Sequence, residues 1–305
     1  MRFPGIIPAV TTPFDADGAV DTAGLAANVR FLLDAGVHGI VGTGTMGEAG
    51  SLDAAERRLV LETVCEAVDT QPASSAGTGG AVPVIAGVSA GTAAAVVAHA
   101  RAAAEAGADA IMCLPPLGYR ADVAELIAFY GAVAEGAGLP VMLYNNPEAS
   151  GVDLRAEQIV AIADRVEGIV AVKECSGDVR RIPALIAAAP QLEILVGGDD
   201  WALEGFAAGA TGWVTGVADI APRECVALYE HVAAGELEPA REVYQRLLPL
   251  ARFDMTPKLV QYFKAAQDEA GLAGGPCREP RLPLTTGERE ELLAALAVLR
   301  EGVPA

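Results

Sequence analysis

Eight short apolar runs of strand type, each followed by a longer stretch rich in Ala, Leu, Glu and Arg, restrict the fold of this 305-residue chain more than any other feature. The runs are FPGIIPAV (3–10), HGIVGTG (38–44), VPVIAGV (82–88), DAIMCL (109–114), PVMLY (140–144), GIVAVK (168–173), LEILVG (192–197) and TGWVTG (211–216). They are apolar almost continuously rather than in alternation, the pattern of parallel strands covered on both faces. Helices are expected between them, near 21–35, 53–69, 91–106, 121–137, 153–164, 178–189, 199–209 and 221–234. Asp53 and Glu56 have capping-box spacing, Asp178 and Asp199 are candidate N-caps, and AGVHG, AGADA and AGATG place Gly just past a helix.

Eight such units predict an α/β fold, a (β/α)8 barrel over residues 1–234. A doubly wound open sheet is the alternative. Residues 235–305 read as three more helices without strands between them, a C-terminal helical extension packed on the barrel. The segment TQPASSAGTGGA (70–81) reads as a flexible loop on the face opposite catalysis. In a barrel the chemistry belongs to the loops that follow the strands, here GTGTMGEAGS, SAGT, LPPLGY, NNPEASG, ECSGD, GDD and VAD.

Composition narrows the function classes. Only 5% of residues are aromatic while 52% are hydrophobic, so the core must be built from Ala, Val, Leu and Ile. A formal net charge of -19 repels phosphate backbones and anionic membrane surfaces, which argues against nucleic-acid and membrane partners. A small acidic substrate would then be held by local backbone N–H groups. The five cysteines lie 48 to 62 residues apart with no CxxC pair, and the three histidines are equally scattered, so neither disulfides nor a metal site is expected. The N-terminal MRFPGIIPAVTTPF has no basic region followed by a long apolar one, and no apolar window approaches a membrane span, so a cytoplasmic protein is expected.

Lys173 interrupts the sixth run, GIVAVKECSGD. The chain has 3 lysines among 21 basic residues. At a strand end facing the barrel mouth, partial desolvation would lower the amine from its ordinary value of about 10.4 and suit it to Schiff-base chemistry, which an arginine cannot perform. The plain alternative is a lysine that snorkels to water or pairs with Glu174. Tyr144 ends the neighbouring fifth run, where its phenol could pass protons to a carbinolamine; the alternative is stacking on Pro147. The loop GTGTMGE matches GxGxxG at Gly42, Gly44 and Gly47, but no helix opens at the third Gly, so a dinucleotide site does not follow. A turn whose N–H groups hold a carboxylate, with Thr45 adding a hydroxyl, fits better. No Gly-x-Ser-x-Gly elbow is present.

Together GIIPAVTTPF, GTMGEAGSL, AGADAIMCLPP, LPVMLYNNP, VAVKECSGD, GGDD and GATGWVTG resemble the dihydrodipicolinate synthase and N-acetylneuraminate lyase family of class I aldolase barrels. The resemblance implies that Lys173 forms the Schiff base, that Tyr144, assisted by Thr45, relays protons, and that Gly44, Thr45 and Met46 hold the carboxylate of a 2-oxo acid. Gly198, Val214 and Thr215 would line the floor. It implies no metal or organic cofactor, and a homo-oligomer, commonly a tetramer.

Three positions depart from the synthases. Met46 stands for the second threonine of their GTTGE motif, Ala149 for their arginine, and Leu117 for a tyrosine of their relay, with Tyr119 two positions late. YNNPEASGVDL, KECSGDVRRI, GATGWVTGVADIAPRECVALYE and TPKLVQYFK resemble instead the deaminases of 1-pyrroline-4-hydroxy-2-carboxylate in hydroxyproline catabolism. A 2-oxo acid lyase of C–C bonds, synthase-like or aldolase-like, and a catalytically silent binding barrel stay open as alternatives.

Overall fold

In the computed structural model, which describes residues 1–70 and 82–301, the eight apolar runs become eight parallel strands. These are β1 (Gly5–Pro8), β2 (Ile40–Gly42), β3 (Val84–Gly87), β4 (Ala110–Cys113), β5 (Val141–Asn145), β6 (Ile169–Glu174), β7 (Glu193–Val196) and β8 (Gly212–Thr215). From β2 to β8 sequence neighbours pair, and β1 pairs with β8. A parallel bridge between Ala9 and Val41, with Val10 N–H donating to the Val41 carbonyl at 3.0 Å, draws β1 against β2 and completes the ring. The open-sheet alternative is excluded.

The helices are α1 (Thr22–Asp34), α2 (Ala54–Asp69), α3 (Ala93–Glu105), α4 (Val123–Ala137), the single turn α5 (Pro147–Ser150), α6 (Ala156–Ala163), α7 (Arg181–Ala188), α8 (Ala202–Ala207) and α9 (Pro222–Ala233). The capping box on α2 forms as its spacing implies: the Asp53 carboxylate accepts from Glu56 N–H, and the Glu56 carboxylate from Asp53 N–H. Gly36, Gly107 and Gly209 follow α1, α3 and α8 with φ of 85°, 99° and 104°, the left-handed geometry a Cβ would strain.

Two expected caps do not form. Arg180, not Asp178, occupies the N-cap position of α7; the Asp178 carboxylate lies two residues earlier, accepting from Arg180 N–H at 3.2 Å and from the Arg180 guanidinium. Asp199 lies in a short 3-10 turn before α8, fully buried, and accepts from Trp213 Nε1 at 3.0 Å, Gly216 N–H at 3.2 Å and Val217 N–H at 2.7 Å. It ties the loop after β7 to the one after β8. The expected loop at 70–81 lies, beyond Thr70, outside the described residues.

Three more helices follow, α10 (Leu237–Ala251), α11 (Leu259–Glu269) and α12 (Thr286–Arg300), with a 3-10 turn at Arg252–Met255 between the first two. This stretch reaches the C-terminal end of the barrel strands. Lys264 of α11 is buried, and its amine donates to the Thr12 carbonyl at 2.9 Å, the Pro276 carbonyl at 2.6 Å and Glu48 Oε1 at 3.0 Å. Glu48 itself sits at φ 51°, just past the loop after β2, and accepts a further bond from Arg278 N–H. A buried ion pair so fully hydrogen-bonded offsets much of its desolvation cost. Among the described residues no helix is long and apolar enough to cross a membrane.

Candidate active site

The register of β5 against β6 sets Tyr144 opposite Lys173. Both strands run one residue further than expected, to Asn145 and Glu174. Side chains alternate across a strand, so Asn145 and Glu174 turn away from the face that carries Tyr144 and Lys173. They meet each other there: Asn145 Nδ2 donates to Glu174 Oε2 at 2.9 Å, and Ser176 N–H to Glu174 Oε1 at 2.7 Å. Pairing of Lys173 with Glu174 is thereby excluded.

Lys173 is 6% exposed, and its amine lies 4.3 Å from the centre of the Tyr144 ring. Asn146 Nδ2 donates to the Tyr144 hydroxyl at 2.7 Å, so Asn146, not Thr45, fixes the phenol. Space for the lysine comes from Gly197, where a Cβ would fall 2.9 Å from Lys173 Cε. These groups open on a cavity of about 380 Å³ at the C-terminal end of the strands, a volume suited to a small metabolite.

Thr45, Met46, Gly44 and Val214 line this cavity with Tyr144 and Lys173. Thr45 is exposed on the rim, while Met46 is buried with its methyl against Gly216, where a Cβ would fall 2.3 Å from Met46 Cε. The floor differs from expectation at two positions. Gly197 and Gly216 are on the wall and Gly198 and Thr215 are not. Gly198 instead clears the Trp201 indole, and the Thr215 hydroxyl accepts from Ala218 N–H at 3.4 Å in the next turn. Ala149 also lines the cavity, and Leu117 lines an adjoining one of about 250 Å³ that shares Thr45 and Tyr144 and carries Arg57 and Arg281. Tyr119 is half exposed and lines neither.

The expected lowering of Lys173 needs correction. Burial does push the amine down, but the negative forms of Tyr144 and Cys175 and the Asp254 carboxylate outweigh it and hold Lys173 above its ordinary value. Burial pushes the phenol and the Cys175 thiol each up to about 12, so both are neutral near pH 7. Burial also pushes Asp254 up, to about 6, while the Lys173 cation opposes the rise. Near neutrality Asp254 thus supplies the negative charge beside an ammonium, and imine formation requires that ammonium to shed a proton.

Asp254 was not legible as a site residue. It comes from the 3-10 turn between α10 and α11, and its Oδ2 accepts from Asp199 N–H at 3.3 Å. The Asp199 carboxyl is pushed well up by burial and by the Asp254 charge, against the opposing pull of the Val217 N–H, the Thr215 hydroxyl and the Lys173 cation. Among the described residues no group of His, Cys, Asp and Glu is arranged to hold a metal.

The chain matches the model of the dihydrodipicolinate synthetase family over residues 2–299. It is 34% identical over 301 residues to the 4-hydroxy-tetrahydrodipicolinate synthase of Methanothrix thermoacetophila, covering 98% of each chain. It is 35% identical over 295 residues to an uncharacterized DapA-like lyase of Halobacterium salinarum, covering 97% of this chain and 93% of the relative. Among solved structures, YagE, a prophage protein of the dihydrodipicolinic acid synthase family from E. coli K12 in complex with pyruvate, superposes with a TM-score of 0.89 at 29% identity over 98% of this chain and 99% of that one. With eight parallel strands, a lysine at the barrel mouth and a match over nearly the whole length, the chain belongs to the dihydrodipicolinate synthetase family of lyases.

Proposed function

We propose that the protein is a Schiff-base lyase that dehydrates and deaminates 1-pyrroline-4-hydroxy-2-carboxylate to 2-oxoglutarate semialdehyde and ammonia. The observation that carries the Schiff-base part is the register pairing of Tyr144 with Lys173, the amine 4.3 Å from the phenol ring in a cavity of metabolite size. The substrate carboxylate would rest on the backbone of the Gly44–Thr45–Met46 turn. Lys173 would attack the ring C=N and open the ring by transimination, freeing the ring nitrogen as a primary amine. The protonated imine then acidifies the neighbouring C–H, and Tyr144, neutral near pH 7 and oriented by Asn146, would move protons at that carbon and at the imine. Loss of the 4-hydroxyl as water, isomerisation and two hydrolyses release ammonia, the product and Lys173.

Two wall residues support this substrate over a synthase substrate. Met46 seals the space over Gly216 with an apolar methyl, and Ala149 lines the cavity where the synthases carry arginine. The names of the relatives favour a second reading, a pyruvate-dependent synthase or lyase acting on C–C bonds. Incubation with 1-pyrroline-4-hydroxy-2-carboxylate separates the two: ammonia release supports the deaminase. Pyruvate consumption or release with suitable partners, and no ammonia, supports the second reading. Neither, together with no borohydride-trapped adduct on Lys173, leaves a binding barrel.

A further inference from the structure

Elimination of a hydroxyl needs an acid at the departing oxygen as well as a base at the carbon that loses its proton. Tyr144 sits beside the amine and serves the imine end of the substrate. The substrate hydroxyl is two carbons from the imine carbon, so its proton donor must stand elsewhere on the cavity wall. Two carboxylates line the cavity there, Glu148 and Asp254. Glu148 is solvent-exposed on the single turn α5. Asp254 is half-buried, brought over the mouth by the turn between α10 and α11, and anchored through Oδ2 by Asp199 N–H.

We propose that Asp254 is the general acid for the leaving hydroxyl, an inference that rests on the dehydrating reading of this site. In this step the enamine electrons on the Lys173 adduct form the new C=C bond as the C–O bond breaks. The oxygen departs as water, taking the proton of the Asp254 carboxyl, and Asp254 is left as carboxylate. The charged and titratable groups that bear on Asp254 are Lys173, Asp199, Asp200, Tyr144 and Cys175. Burial raises Asp254 to about 6, and Lys173 is the cation that limits the rise. Conversion of Lys173 to a neutral enamine removes that cation just before the proton is needed, so the carboxyl is at its most protonated in the intermediate that eliminates.

The test is Asp254→Asn, with Asp254→Glu beside it. Asn keeps the size and the bond from Asp199 but carries no transferable proton. The kcat for ammonia release should fall about 10²-fold or more, KM should change little, and Glu should recover part of the loss. Borohydride trapping with the pyrroline substrate should give, in Asp254→Asn, a Lys173 adduct heavier by one water than the wild-type adduct, because the hydroxyl is retained. Trapping with pyruvate, which has no hydroxyl to lose, should match wild type. Wild-type kcat in Asp254→Asn overturns the role of Asp254 while leaving the deaminase reading standing. Loss of pyruvate trapping in both variants also overturns it, placing Asp254 in the fold. A wild-type enzyme that releases no ammonia overturns both.

Discussion

Tyr144 and Lys173 are register partners on neighbouring parallel strands, so the spacing of phenol and amine is set by backbone pairing rather than by a loop. Parallel strands lie about 4.8 Å apart, and the 4.3 Å from amine to ring centre follows from that spacing.

Lys173→Arg preserves a cation over the ring but removes the capacity to form an imine. Borohydride reduction with pyruvate should add no mass to this variant, and kcat should fall by about 10⁴-fold or more. An adduct on the variant protein would place the nucleophile elsewhere.

Tyr144→Phe keeps the ring under the amine and deletes the hydroxyl to which the proposed mechanism gives proton transfer. Steady-state kinetics should show kcat down about 10²–10⁴-fold with KM within a few-fold of wild type. A loss under tenfold would remove Tyr144 from the relay.

Gly197→Ala puts a methyl 2.9 Å from Lys173 Cε, with the Glu174 carbonyl equally close. The lysine must yield, because backbone cannot. Displacement of a reacting group by about 1 Å costs on the order of 10²-fold in rate, and overpacking costs about 1–3 kcal/mol. Activity and urea denaturation measured together should show both effects.

Lys264→Met strands Glu48 without its buried cation, where both side chains are 1% or less exposed. Urea denaturation should register a loss of about 3–5 kcal/mol. Lys258→Met, which breaks the more exposed pair with Glu288, should cost about 1 kcal/mol or less.

Glu56 carries a pH signature. Its hydrogen bond from Arg278 holds the carboxyl down to about 2, against 4.5 for the ordinary group. Below 4.5 the unfolded chain binds the proton that the folded chain still refuses. The stability due to this pair is therefore complete above about 4.5 and drains away as pH falls toward 2. Glu56→Gln should flatten that part of the stability profile in urea midpoints taken from pH 6 to pH 3.

The barrel was legible because eight strands buried on both faces must be written as continuous apolar runs, and the strand-end rule then pointed at Lys173 and Tyr144. Lysine scarcity was a weaker guide than it looked. Lys258 and Lys264 both form hydrogen-bonded ion pairs with glutamates, and what separates Lys173 is the register that puts it against a phenol. Asn146 had a local signal, a second polar residue directly after the strand. Asp254 had none. It lies in a turn between two helices, 81 positions from Lys173, and no periodicity of α10 or α11 says that this turn covers the barrel mouth. Gly197 and Gly198 are indistinguishable in the string GGDD; only packing against Lys173 or Trp201 separates them.

The bond between Lys264 and Glu48 joins positions 216 residues apart, and it has a consequence for how the molecule is made. The turn that carries Gly44, Thr45 and Met46 leaves the ribosome with Glu48, and the lysine that braces it follows only 216 residues later. Contacts of such long sequence separation form late and fold slowly. A nascent barrel can therefore assemble its strands while the turn beside Lys173 is still unbraced, so that the finished cavity waits on a helix made after the eighth strand.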